Sequence, residues 1–179
     1  MVEDIVRAKG HLTLGTRLKR IGERLQADTQ RIMEEMDVPL QASQYPFLAA
    51  LDSAGPLTIG ELAEAVGVTQ PGVTRSVSEL KKLGLVKARQ APDDQRRRIV
   101  SLTRKGQEAV AFGKAEVWPR IERSVSDLCR DLEGPLLAQL AALEDGLAAK
   151  PLHRRAGSLG AKPVSAKSVG AGPARDKPQ

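Results

Sequence analysis

Two stretches of this sequence carry side chains equipped to hold a polyanion. The first, residues 93–98, reads Asp-Asp-Gln-Arg-Arg-Arg and runs into the alternating segment Ile99-Val100-Ser101-Leu102-Thr103. Three adjacent guanidinium groups repel one another, and a turn needs none of them to close. Asp93 and Asp94 relieve that repulsion in the free chain, and an external anion would relieve it further. On a strand Asp94 and Arg96 share a face, so Asp94 can hold a basic neighbour while Arg96 points outward. Arg97 and Arg98 are then placed for phosphate oxygens. The second stretch is Thr-Gln-Pro-Gly-Val-Thr-Arg at 69–75, continued to Lys81-Lys82. Gln70 has the amide that pairs with adenine, Arg75 the fork that pairs with guanine, and Pro71 and Thr74 the apolar carbons that touch a thymine methyl. Gly72 permits close approach, and Lys81 and Lys82 suit phosphate.

The charge distribution agrees. The chain has 179 residues and a formal net charge of +6. Residues 150–179 hold seven basic residues and one acid, and residues 1–149 balance at 21 of each sign. Inside that neutral body, residues 70–105 hold ten basic residues and three acids. A concentrated positive field on a neutral body points to a polyanionic partner. The plain alternative is a solvated basic surface, with Gln70 and Arg75 as ordinary exposed helix residues.

The elements that position these residues follow from local signals. Leu14, Leu18, Ile21, Leu25, Ile32 and Met36 form a heptad-like stripe on a long helix, ended near Pro39. A second helix follows Ser43 and stops at Gly55-Pro56. Thr58 and Glu61 are spaced as a capping box, predicting a short helix closed by Gly67. Thr69 caps the next, with Pro71 tolerated in its first turn and Val73, Val77, Leu80 and Leu83 on its buried side. Short helix, glycine turn and second helix make a helix-turn-helix. The segments 85–89 and 97–103 read as a hairpin, the outline of a winged helix. Thr103 caps a long helix with a stripe at Val110, Val117, Ile121, Val125, Leu128 and Leu132, interrupted by Trp118-Pro119. A last helix carries Leu136, Leu140, Leu143 and Leu147. Both terminal stripes are too apolar to leave in water; they serve a dimer or, alternatively, the core of a monomeric bundle.

The motifs GELAEAVGVTQPGVTRSVSELKKLGLV and DQRRRIVSLTRKG resemble the MarR family of bacterial winged-helix transcription regulators. The second carries the wing pattern at Asp94, Arg96, Leu102, Thr103 and Gly106, and the resemblance spans residues 10–149. It implies a homodimer built on the first and last helices, two lobes reading a palindromic operator, and an effector pocket between the dimer helices and the lobe. Candidates for that pocket are Met36, Tyr45, Phe47 and Trp118, which ordinary core packing explains equally well. The chain departs from the family pattern at Gln95, where Arg is common, and at Pro71-Gly72, where Ser or Ala is commoner. Cys129 stands away from the position of redox-sensing cysteines, so packing is its expected role.

Other classes find little support. The sequence offers no Ser-His-Asp set, carboxylate dyad or phosphate loop. No run is long and apolar enough to span a bilayer. His11, His153 and Cys129 are too scattered for a metal site, and no cofactor is implied. The N-terminus lacks an apolar signal core, so a cytoplasmic location is expected. The expected fold is mainly α, a winged helix-turn-helix with N- and C-terminal dimerisation helices. The expected organisation is an N-terminal arm at 1–9, dimerisation helices at 10–38 and 104–149, a DNA-binding lobe at 43–103, and a disordered basic tail at 150–179. The expected function is a repressor that binds double-stranded operator DNA as a homodimer under small-molecule control, and not an enzyme. The alternatives are a winged-helix adaptor for protein partners and a nonspecific DNA-binding protein.

Overall fold

The computed structural model describes residues 2–90 and 97–158. It divides into two compact units, Met1–Cys129 and Arg130–Gln179. The first begins with helix α1 (Ile5–Ala8), a 3-10 turn (Gly10–Thr13) and the long helix α2 (Leu14–Glu35). Asp37 then adopts a left-handed conformation, φ 55°, which turns the chain just before Pro39. A 3-10 turn (Ala42–Gln44) leads into α3 (Tyr45–Ala54), which Gly55 ends at φ 79°.

The capping signals hold. In α4 (Ile59–Val66) the Thr58 hydroxyl accepts from the Glu61 N–H, and the Glu61 carboxylate accepts from the Thr58 N–H at 2.7 Å. Gly67 closes that helix at φ 70°. In α5 (Gln70–Lys82) the Thr69 hydroxyl accepts from Gly72 N–H, and Val73, Val77 and Leu80 are buried. Strands β2 (Val86–Gln90) and β3 (Arg98–Leu102) pair antiparallel, with Ala88 opposite Val100. A third, two-residue strand, β1 (Leu57–Thr58), adds to the other edge of β3, with Leu57 opposite Val100. The sheet order is therefore β1-β3-β2. Sequence periodicity offers no sign of β1, because two residues cannot alternate and their partners, Val100 and Ile99, lie far along the chain.

Met33, Leu48, Leu62, Val73, Leu80, Val100, Val110 and Val117 are the fully buried side chains at the centre. Each removes roughly 1.5–3 kcal/mol worth of apolar surface from water. Aliphatic residues thus build most of the core, joined by Tyr45 and Phe47. After β3 come α6 (Arg104–Phe112), a π turn (Gly113–Val117) and α7 (Trp118–Cys129). The interruption expected at Trp118-Pro119 takes the form of that wide turn. Pro119 has no N–H to return to the preceding turn, and widening accommodates the loss. The same stretch is crowded: a Cβ on Gly113 would lie 2.9 Å from the Tyr45 ring and 3.1 Å from Trp118 Nε1. Tyr45 and Trp118 meet edge to face, 5.8 Å between centroids at 76°.

The second unit holds α8 (Leu136–Ala149) and α9 (Leu152–Ser158). The composition of residues 150–179 predicts disorder, yet seven of them are helical. The reason is local. Arg155 donates to the carbonyls of Lys150, at 2.7 Å, and Gly146, satisfying the open end of α8. Residues 159–179 lie outside the described residues. Many members of the two terminal stripes are exposed in the single chain. Leu18, Ile21, Val125, Leu132, Leu143 and Leu147 are among them, with Leu128 at 67%; Leu137, beside the last stripe, is 81% exposed. Among the described residues no helix is long and apolar enough to cross a membrane, and no cluster of His, Cys, Asp and Glu could hold a metal ion.

Candidate nucleic-acid interface

The hairpin and α5 are fixed to one another by a single threonine. Thr103 donates its hydroxyl to Gly84 O at 2.6 Å and accepts from the Gly106 N–H at 3.0 Å. Its own N–H donates to Leu85 O at 3.0 Å. Lys105 Nζ adds a bond to Leu83 O at 2.9 Å. The end of α5, the base of the hairpin and the start of α6 therefore meet in one hydrogen-bonded joint. Gly106 is required there, since a Cβ would sit 2.0 Å from Leu85 O. Gly84, at φ 74°, makes the turn between α5 and β2.

One face of α5 is thereby held outward. Gln70, Pro71, Gly72, Thr74 and Arg75 are all exposed, and Val73 between them is buried. Thr74 donates to Gln70 O at 3.0 Å and Ser78 to Thr74 O at 2.8 Å. Both hydroxyls spend their hydrogens on the helix and keep oxygen lone pairs for an external donor. Arg97 and Arg98, also exposed, come from the hairpin to the same place. They line a hollow of about 380 Å³ together with Thr58, Ile59, Gly60 and Gln70. Arg98 also borders a second hollow with Thr74, Ser78 and Lys81. So Gln70, Thr74, Lys81, Arg97 and Arg98, predicted separately, converge on one surface. Lys82 is exposed in the last turn of α5 beside Lys81, where cations also suit the helix dipole. Asp94 and Arg96 lie outside the described residues.

Glu61 stands at the edge of this surface. The Thr58 N–H and hydroxyl, and the charge of Arg97, hold its carboxyl below the usual carboxylate range. One contact escapes sequence reasoning. Arg75 Nε lies 3.3 Å from Glu79 Oε1, and Glu79 Oε2 accepts from Gln44 Nε2 at 3.1 Å. Gln44 and Glu79 are 35 positions apart, beyond any local pattern.

An apolar cavity of about 320 Å³ opens elsewhere in the first unit. Met36, Val38, Leu40, Tyr45, Leu85 and Phe112 line it, with Lys105 and Glu108. Two of the four aromatic or thioether candidates thus share a wall. Trp118 reaches the cavity only through its contact with Tyr45, and Phe47 is a buried core residue that does not line it. Phe112, which no sequence motif marks, does. Tyr45 is 8% exposed. Its hydroxyl is buried without a hydrogen-bond partner among the described residues, and burial raises its pKa. A larger hollow of about 600 Å³ between α3 and the hairpin is lined by Asp52, Lys87 and Arg89 and presents no such group.

Comparison with known proteins gives a consistent set. A family model described as MarR family matches residues 37–97, from the turn after α2 to the start of the wing's second strand. The HTH-type transcriptional regulator FarR of Neisseria gonorrhoeae is 29% identical over 140 residues, covering 76% of this chain and 94% of FarR. An HTH-type transcriptional regulator of Mycobacterium bovis is 31% identical over 107 residues, covering 56% of this chain and 75% of its own length. Among solved structures, the transcriptional repressor CouR bound to a 23-mer DNA duplex is similar with a TM-score of 0.67 at 26% identity. That likeness covers 80% of this chain and 99% of CouR.

Proposed function

We infer the function from one premise: this chain belongs to the MarR family of DNA-binding transcription regulators. Its own residues support a sequence-specific reader of double-stranded DNA. The observation that carries this is the convergence of α5 and the hairpin on two hollows that share Arg98, one with Gln70 and Arg97 and the other with Thr74 and Lys81, with Arg75 exposed on the same helix. With α5 in the major groove, Gln70 and Arg75 face base edges, Pro71 and Thr74 meet thymine methyls, and Gly72 lets the backbone approach. Arg97 and Arg98 then follow the phosphate backbone, with Lys81 and Lys82 on a neighbouring phosphate. Asp94 and Arg96 serve the wing tip, with Arg96 in the minor groove.

The protein acts as a homodimer on a palindromic operator. Exposed Leu18, Ile21, Leu128 and Leu137 are the support, because isolated chains rarely leave such faces in water. The helices at 10–38 and 104–149 supply that dimer, and 43–103 the reading lobe. Repression is the sense of regulation, in line with the similarity to a protein described as a repressor on DNA. The cavity at Met36, Tyr45 and Phe112 suits a small, mostly apolar effector with one polar atom for the Tyr45 hydroxyl. Such an effector regulates only if it binds the free and DNA-bound conformations differently.

Selection of bound duplexes from a random pool at physiological salt tests the reading. The expected result is an inverted repeat with half-sites about one helical turn apart. Recovery of no motif, with binding that fades in modest salt, refutes sequence reading and leaves nonspecific contact.

A further inference from the structure

Glu79 is electrostatically out of place. It is the only carboxylate between residues 70 and 90, a stretch with five basic residues. On a surface that meets phosphate, a carboxylate opposes binding of every duplex alike. Its contacts say what it does instead. One oxygen, Oε1, lies 3.3 Å from Arg75 Nε, and the other accepts from Gln44 Nε2 at 3.1 Å. Gln44 is 4% exposed, a buried amide side chain. Its amide oxygen accepts from the Gln41 N–H at 3.0 Å, closing a capping box ahead of α3.

An exposed pair one helical turn apart contributes little by itself, and Arg ahead of Glu is the weaker order along a helix. Arg75 is such a residue, with 85% of its side chain in solvent. The difference here is the anchor. A buried amide ties one carboxylate oxygen to the core, so the other has a fixed place at which to receive Arg75 Nε. That contact uses Nε and leaves the Nη1/Nη2 fork uncommitted by the pair. The fork is the part that pairs with a guanine edge, and pre-orienting it reduces the freedom lost on binding.

We propose that Glu79, anchored from the core by Gln44, is a positioning residue for Arg75: it weakens binding to all duplexes and sharpens the choice of base pair. The proposal rests on the reading of Arg75 as a base-contacting residue given above. Its signature is two effects of opposite sign, which a residue of merely structural importance would not produce.

The experiment compares wild type with Arg75→Ala, Glu79→Gln, Gln44→Met and the double variant Arg75→Ala/Glu79→Gln. Each is carried through selection from the random pool, then titrated on the recovered duplex, its single-base-pair variants and a scrambled duplex at two salt concentrations. Arg75→Ala is expected to lose about tenfold preference at one base pair per half-site. Glu79→Gln loses most of that same preference, binds scrambled duplex more tightly, and steepens the salt dependence by up to about one unit of slope. Gln44→Met loses preference without the gain in affinity, because Glu79 keeps its charge. The double variant loses no more preference than Arg75→Ala alone. Glu79→Gln that gains affinity and keeps full preference overturns the positioning role and leaves Arg75 reading unaided. Arg75→Ala that keeps the preference overturns the base-reading role itself, and the proposal with it. Thermal melts establish that each variant is folded, and Glu79→Gln decides the matter if Gln44→Met is not.

Discussion

Replacing Tyr45 by Phe is expected to stabilise the protein, the reverse of what most buried substitutions do. The hydroxyl is buried and lacks a partner among the described residues, and in the unfolded chain it is hydrated. An unsatisfied buried hydroxyl costs about 1–3 kcal/mol, which the substitution recovers. Against this stands the small void left by one oxygen. At about 24 cal/mol per Å³ and a volume on the order of 10 Å³, the void costs only a few tenths of a kcal/mol. The ring stays, so its edge-to-face contact with Trp118 at 5.8 Å stays. The net is about 1–2 kcal/mol of added stability, or about 2–8 °C in Tm for a chain of this size. Differential scanning calorimetry at one fixed protein concentration is the assay, since the proposed dimer would make Tm concentration-dependent. An effector that uses the hydroxyl should bind Tyr45→Phe more weakly, so added effector narrows or reverses the gain. Loss of stability by 1 kcal/mol or more without effector would refute the reasoning, because it would mean that the hydroxyl is already satisfied.

Gly106→Ala forces a Cβ to within 2.0 Å of Leu85 O, at the joint of α5, hairpin and α6; we expect a loss of about 1–3 kcal/mol or more in chemical denaturation, and an unchanged midpoint would argue against a tight joint. Glu61 has a carboxyl pKa held down by the Thr58 bonds, so its contribution to stability is present above the ordinary carboxylate range and fades as pH falls through the lowered value. Melts of Glu61→Gln against pH should therefore show a deficit near neutrality that closes in acid, and a deficit constant with pH would contradict this. Leu128→Glu, alone or with Leu137→Glu, places charge on exposed apolar faces. Sedimentation equilibrium should then show a shift from dimer to monomer with operator affinity lost alongside, whereas an unshifted dimer would move the interface elsewhere.

The parts of the fold legible in the sequence are those decided locally. The box at Thr58 and Glu61, the glycine stop at 67, and the caps at Thr69 and Thr103 each need only neighbours within four positions, and each is where the spacing predicts. The alternating run at 99–102 likewise announces β3. What escaped depends on distant partners. Strand β1 exists because Leu57 meets Val100. The wide turn at 113–117 answers both Pro119 and the rings of Tyr45 and Trp118. Phe112 joins the cavity by the way α6 packs against the turn after α2. Helix α9 is held by Arg155 reaching back to α8, a bond that composition cannot reveal. The site divides in the same way. Side-chain types on α5 marked Gln70 and Arg75, but the Gln44–Glu79 bond behind Arg75 required the folded chain.

The central claim is that α5 and the hairpin read DNA sequence. The most direct test is the affinity of the purified protein for its selected duplex relative to a scrambled duplex of equal length, by fluorescence anisotropy at physiological salt. The account predicts a ratio of about 10³ or more, reduced by Arg75→Ala and left unchanged by Arg98→Ala, which lowers affinity for both duplexes alike. A ratio near one in the wild-type protein, with both variants losing affinity equally, would contradict it.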